Sequence, residues 1–279
     1  MIPLGSEANP LHLEIVAPDS STRLVENAVT DLQQALLDDT EMNVVVELVE
    51  SDAEALAALC DSSGGTIAAA WLSGLAYAAA YDQDCGTAAL QVQRGERSSG
   101  STGDTSLIII RSALDVSGVG DLVDHVFCRL GYSDFYSWLV PSLMLRAGGI
   151  TSAAQFSEVR DYDDPAAMID DVASGDCDAA GIAASVYEDS ASATARARVR
   201  TLQQSVEVPY LVLVVPSQLP LAQQDDLTNA LVSIANGSRA GTLAPLLDQD
   251  QLFVVSDDEL SSLRSFISRA GIDLAQAGT

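Results

Sequence analysis

The chain has 279 residues, room for two domains of ordinary size, and 48% of them are hydrophobic, enough for a sizeable core. Its net charge is −27 although only 19% of residues are charged: 40 acids stand against 13 basic residues, every one an arginine, with no lysine. Such a surface repels phosphate polymers and anionic lipid, which excludes nucleic acid and membrane surfaces as partners, and no run approaches the roughly 20 apolar residues that span a bilayer.

From the N-terminus, Leu11–Ala17 alternates as a strand ending at Pro18. Asp19, Ser20, Ser21 and Thr22 are helix-capping residues, and Leu24, Val25, Ala28, Leu32, Ala35 and Leu36 follow at helical spacing. Asn43–Val49 is a β-branched strand. Ser51–Glu54 caps a short helix over 53–60, and Thr66–Trp71 is a third strand that runs through Leu72-Ser73-Gly74 into a helix. The order β-α-β-α-β-α is that of a doubly wound sheet. Arg94–Asp104 is polar and glycine-rich and reads as a linker.

A second series follows: strand 106–111, strand 126–130, helix 137–147, strand 158–160, helix 165–174 and strand 178–182. Residues 208–215 form one apolar run, and helices are expected over 222–234 and 257–270. The extended segments near 106–111 and 208–215 look like the entry and exit of an inserted lobe. The fold class is therefore α/β and two-lobed, each lobe a doubly wound sheet. Lobe one takes 1–100 and 212–279, lobe two takes 105–208, the hinges lie near 101–111 and 206–215, and a ligand cleft is expected at the hinge.

The four cysteines, Cys60, Cys85, Cys128 and Cys177, form no CxxC pair, which argues against zinc and thioredoxin-type sites. Two histidines, His12 and His125, are too few for a His-rich metal site, so no metal and no cofactor is expected. The even count fits two disulfides, Cys60–Cys85 and Cys128–Cys177, each inside one lobe, or else four buried thiols. Neither GxGxxG nor GxSxG occurs.

The order of several short pieces carries a resemblance. They are Asn9-Pro10-Leu11, Val16–Ser20, Ala70–Tyr77, Leu107–Ser112, Leu139-Val140-Pro141, Ser174–Ala180 and Val208-Pro209. In this order the chain resembles the phosphonate/phosphite-type substrate-binding proteins of ABC importers, which have the type II periplasmic-binding fold. The resemblance implies a non-enzymatic, monomeric receptor that hands a small molecule to an ABC permease. It implies an extracytoplasmic location, periplasmic or lipid-anchored. Met1–Ser6 has no charged or apolar leader region, so the chain reads as a mature protein without its leader, or otherwise as cytosolic.

The resemblance also places ligand-binding residues. Tyr77 matches the family's cleft aromatic, Asp178 matches an acid that faces a ligand amine in aminophosphonate binders, and Ser20 and Ser21 lie on the loop bordering the cleft. The family's Ser-Thr-Ser-Gly anion cradle has no counterpart here. Its place is taken by Asp134-Phe135-Tyr136-Ser137-Trp138, where only Ser137 offers a small hydroxyl. Asp134 would sit where a phosphonate oxygen belongs, and two like charges about 4 Å apart repel by roughly 4 kcal/mol at an effective dielectric near 20. The residues thus point to a neutral or amine-bearing ligand. Tyr132, Phe135, Tyr136 and Trp138 crowd within seven positions, and with Trp71 they offer a wall for a ring or cation, or simply core. Each acid has a plain alternative: a helix cap for Asp134, a strand-end turn for Asp178. A sensory or orphan ligand-binding domain is the other reading. An enzyme on the same fold is disfavoured by the absence of lysine and of a basic cluster that would activate a cysteine.

Overall fold

The computed structural model describes residues 3–18, 23–61, 66–95 and 99–271. The chain forms two units, the first from the N-terminus to Gly103 together with Pro209–Ser261, the second from Asp104 to Val208 together with the C-terminal helix.

In the first unit β1 (Leu11–Val16) leads to α1 (Arg23–Thr40), β2 (Val44–Val49), α2 (Asp52–Cys60), β3 (Ile67–Leu72), α3 (Gly74–Asp82) and β4 (Gly86–Gln93). The second unit opens with β5 (Gly103–Arg111) and β6 (Val126–Arg129). A π turn (Phe135–Leu139) then runs into α4 (Val140–Ala147), β7 (Glu158–Asp161), α5 (Pro165–Ser174), β8 (Ala179–Ala183), α6 (Ala184–Ser190), α7 (Ala193–Arg196) and β9 (Val199–Pro209). The chain returns to the first unit through β10 (Val212–Pro216), α8 (Leu221–Asn236), α9 (Ala244–Leu247) and β11 (Gln251–Val254), and ends with α10 (Ser261–Arg269).

The first sheet has the order β11-β4-β10-β3-β1-β2. Its β1 is flanked in parallel by β2 and β3, while β10 and β11 run antiparallel to β4. Leu11, Leu13 and Ile15 alternate on one face of β1 and pack in one core with the stripe Val25, Ala28, Leu32, Leu36 of α1 and with Leu227, Leu231 and Ile234 of α8. Each such fully buried aliphatic contributes about 1.5–3 kcal/mol. The second sheet has the order β7-β6-β8-β5-β9, with β6 parallel to both β7 and β8. Its core joins Leu107, Ile109, Cys128 and Ile182 to Met168, Ile169 and Val172 of α5.

Both disulfides form, Cys60–Cys85 in the first unit and Cys128–Cys177 in the second, so the thiol alternative is set aside.

Four expectations are corrected. The helix expected over 137–147 is a π turn followed by α4. Pro141 has no N–H to donate, so one carbonyl of the preceding turn is left over, and the carbonyl of Tyr136 is met instead by Ser106 Oγ at 2.6 Å. The apolar run 208–215 is not one strand: β9 ends at Pro209, which cannot donate to a ladder, and β10 begins at Val212. The 94–104 linker is tied off by a bridge between Arg94 and Ser101 and enters β5 at Gly103. Finally, α10, assigned from the sequence to lobe one, groups with the second unit, and its stripe Leu263, Phe266, Ile267 is buried.

Candidate functional site

Each unit repeats one piece of topology. In each sheet a strand lies between its two successors, so the chain passes from one side of it to the other: β1 between β2 and β3, and β6 between β7 and β8. The carboxyl ends of the strands at such a switch point are where α/β sheets bind ligands. In the first unit these ends are Val16 and Leu72, and in the second Arg129 and Ala183.

At the first end, β3 turns directly into α3. Ser73 caps that helix by accepting the Ala76 N–H at 3.4 Å, and its own N–H is donated to Asp52 Oδ1 at 3.1 Å. No acid occupies the first turn of α3. Tyr77 is fully buried, and its hydroxyl donates to Asp257 Oδ1 at 2.9 Å, the same oxygen that takes the Ala88 N–H at 3.1 Å. Trp71 is also fully buried, in the core beside Ile15 and Leu213, and its indole N–H has no partner among the described residues. Ser20 and Ser21 lie outside the described residues.

At the second end the chain leaves β6, makes the turn Leu130–Ser133, and enters the π turn at Asp134. The Asp134 side chain accepts the Ser137 N–H at 2.6 Å, so the carboxylate caps its own helical segment. Ser137 is buried and its hydroxyl accepts the Leu130 N–H at 2.9 Å, while the Tyr136 hydroxyl donates to the Val208 carbonyl at 2.9 Å. Gly181 on β8 permits this arrangement: a Cβ there would lie 2.1 Å from the Ser137 carbonyl oxygen and 2.8 Å from Pro141. The end of β6 adds a cation that is already satisfied. Arg129 is buried, bonds Asp161 at 2.5 Å, and lies over the rings of Trp138 at 4.3 Å and Tyr132 at 5.2 Å. Trp138 also packs edge-on against Phe127 and borders a small cavity of about 150 Å³ with Ser142, Arg146 and Phe156.

The structure brings Asp134, Tyr136, Ser137 and Trp138 together in one turn and places Asp178 elsewhere. Asp178 precedes β8, at the amino end of the strands, where it accepts the Val126 N–H at 3.0 Å and pairs with His125 at 3.2 Å. The length of β6, about 10 Å at 3.3 Å per residue, separates it from the Asp134 end. Asp178 thus fills the strand-end role that was its plain alternative. Two contributors went unmarked in the sequence: Asp52, which reaches the Ser73 N–H from a neighbouring helix, and Ser106, which holds the Tyr136 carbonyl from β5. Only the three-dimensional pairing makes either visible.

A family model for the periplasmic substrate-binding protein of phosphonate ABC transporters matches residues 15–260. Solved structures share the fold across nearly their whole length. XAC2383 of Xanthomonas citri bound to chloride superposes with a TM-score of 0.63 at 14% identity, covering 94% of this chain and 98% of that one. The Mycoplasma hyorhinis protein Mh-p37, described as a putative thiamine pyrophosphate transporter, gives 0.63 at 9% identity over 92% and 98%. PhnD1 of Prochlorococcus marinus in complex with methylphosphonate gives 0.55 at 12% identity over 94% and 98%. At such identities the likeness is one of fold. A comparison with curated protein sequences yields no match. The family match covers most of the chain, and the chain belongs to the phosphonate-type family of periplasmic ABC-transporter substrate-binding proteins. The family is one of solute receptors rather than enzymes, it works outside the cytoplasm, and its partners are a small molecule and an ABC permease. Two disulfides are consistent with that compartment.

Proposed function

We propose that this receptor carries a neutral or amine-bearing solute rather than a phosphonate dianion. The observation behind this reading is the Asp134 carboxylate seated on the Ser137 N–H at 2.6 Å. An anion-binding helix N-terminus works because its free N–H groups and dipole meet a negative ligand. Here the chain supplies that negative charge itself, and in the first unit Asp52 does the same for the Ser73 N–H. A ligand amine near Asp134 gains from the charge that a phosphonate would have to overcome.

In this reading Asp134, with Tyr132 and the Arg129–Trp138 stack of the same unit, supplies the ligand contacts at the strand ends of the second unit. Tyr77, Tyr136 and Ser137 shape the two ends by holding backbone and acid in place. Trp71 packs in the core. The receptor works as a monomer, periplasmic or lipid-anchored, and the chain crosses between units at 103–104, 208–209 and 261–262. A thermal-shift screen tests this. Zwitterionic amines, quaternary ammonium compounds and neutral solutes are expected to include one that raises Tm saturably with one-to-one stoichiometry. Asp134→Asn should weaken it at least about tenfold, the loss of roughly 1.4 kcal/mol. A saturable shift with phosphonates alone would refute the reading.

A further inference from the structure

On the face of the first sheet away from the α1 and α8 core, β1 presents His12 and Glu14, and β2 presents Glu47 directly opposite Glu14. The donor atoms of these three side chains all lie within 4.8 Å of one another, and His12 Nδ1 stands 3.4 Å from Glu47 Oε1. On the other side β3 places Ala68 and Ala70 in register with His12 and Glu14, and α2 packs against β1 and β3. Glu14 is 2% exposed. Like carboxylates facing each other across neighbouring strands are destabilising, and a buried carboxylate without a cation is costly. Among the described residues no Arg or His forms an ion pair with Glu14; its side chain bonds to Glu47. The acids of the neighbouring α2 are occupied elsewhere, Asp52 with the Ser73 N–H and Glu54 with the Glu50 N–H. Burial, the Glu47 charge and that shared hydrogen bond push the Glu14 carboxyl up to about 7.

We propose that His12, Glu14 and Glu47 form a binding site for a divalent transition-metal ion of the Zn²⁺ type, on the flank of the first sheet. One imidazole and two carboxylates are donors that such ions accept, with bonds of about 2.0–2.2 Å. Two ligands at that distance in tetrahedral arrangement are about 3.4 Å apart, the spacing of His12 and Glu47. The Glu47 side chain, 48% exposed, is free to close the remaining gap and leaves the outer position to water. The site is independent of the solute reading above.

The test is calorimetric titration of the EDTA-treated full chain with ZnCl₂, alongside thermal unfolding. One equivalent is expected to bind, with an upward Tm shift. Glu14→Gln and His12→Gln should each weaken it at least about tenfold. Because so acidic a chain collects cations loosely, Asp31→Asn on the exposed face of α1 removes the same charge as Glu14→Gln and should leave the titration unchanged. Metal-free melting shows that each variant is folded. Absence of a one-equivalent event, or equal weakening by Glu14→Gln and Asp31→Asn, overturns the proposal.

Discussion

The two units build the same switch point from different parts. In the first, the turn after β3 is short, its helix is capped by the neutral Ser73 hydroxyl, and the acid on the backbone arrives from α2 through Asp52. In the second, the turn after β6 is long and the cap is itself an acid, Asp134. The same topology therefore yields one helix capped by a neutral hydroxyl, with an acid reaching the Ser73 N–H from α2, and one helical turn whose cap is the acid itself.

Several perturbations sharpen or break this comparison. The largest expected effects come from the disulfides. Removing Cys128–Cys177, which spans 49 residues, should cost about 4 kcal/mol, and removing Cys60–Cys85, spanning 25, about 3.5 kcal/mol, as read by urea unfolding of serine variants. Equal losses would show that the two units do not unfold as separate staples. Gly181→Ala should cost about 3 kcal/mol, because its methyl would meet the Ser137 carbonyl, and it should disturb only the second unit.

A pH series on Glu14→Gln in EDTA comes next. The folded pKa of Glu14, about 7, lies above the ordinary 4.5, so its stabilising contribution is present below 4.5 and is lost as pH rises through 7. The glutamine variant should melt about 3 °C above the parent at pH 8 and level with it at pH 4. The smallest pair is Asp134→Ala and Ser73→Ala. Each deletes a cap worth about 1 kcal/mol, and only the first should also change ligand preference.

How far the sequence foretold this depends on the element. The strands and helices with strong signals were legible: β1 by alternation, α1 by its stripe, and α5 by Asp164-Pro165 at its start and Gly175 at its end. The edge strand β9 was not, since Val199–Glu207 is polar on its open side, and β4, with little β-branched content, lay beyond propensity. The Asp134 cap could be read from the residues, since an acid just before a helical segment is a capping residue. That Asp178 sits at the amino end of the strands could not, because a turn acid looks alike at either end of a strand.

The central claim is that Asp134 has turned a phosphonate-type receptor away from phosphonates. Titrating methylphosphonate calorimetrically into the parent and into Asp134→Ser measures it most directly. The account expects no saturable heat from the parent at about 1 mM ligand, a binding free energy weaker than about −4 kcal/mol, and measurable binding only after the acid is removed. Parent affinity of about 10 µM or tighter, unchanged in Asp134→Ser, would contradict it.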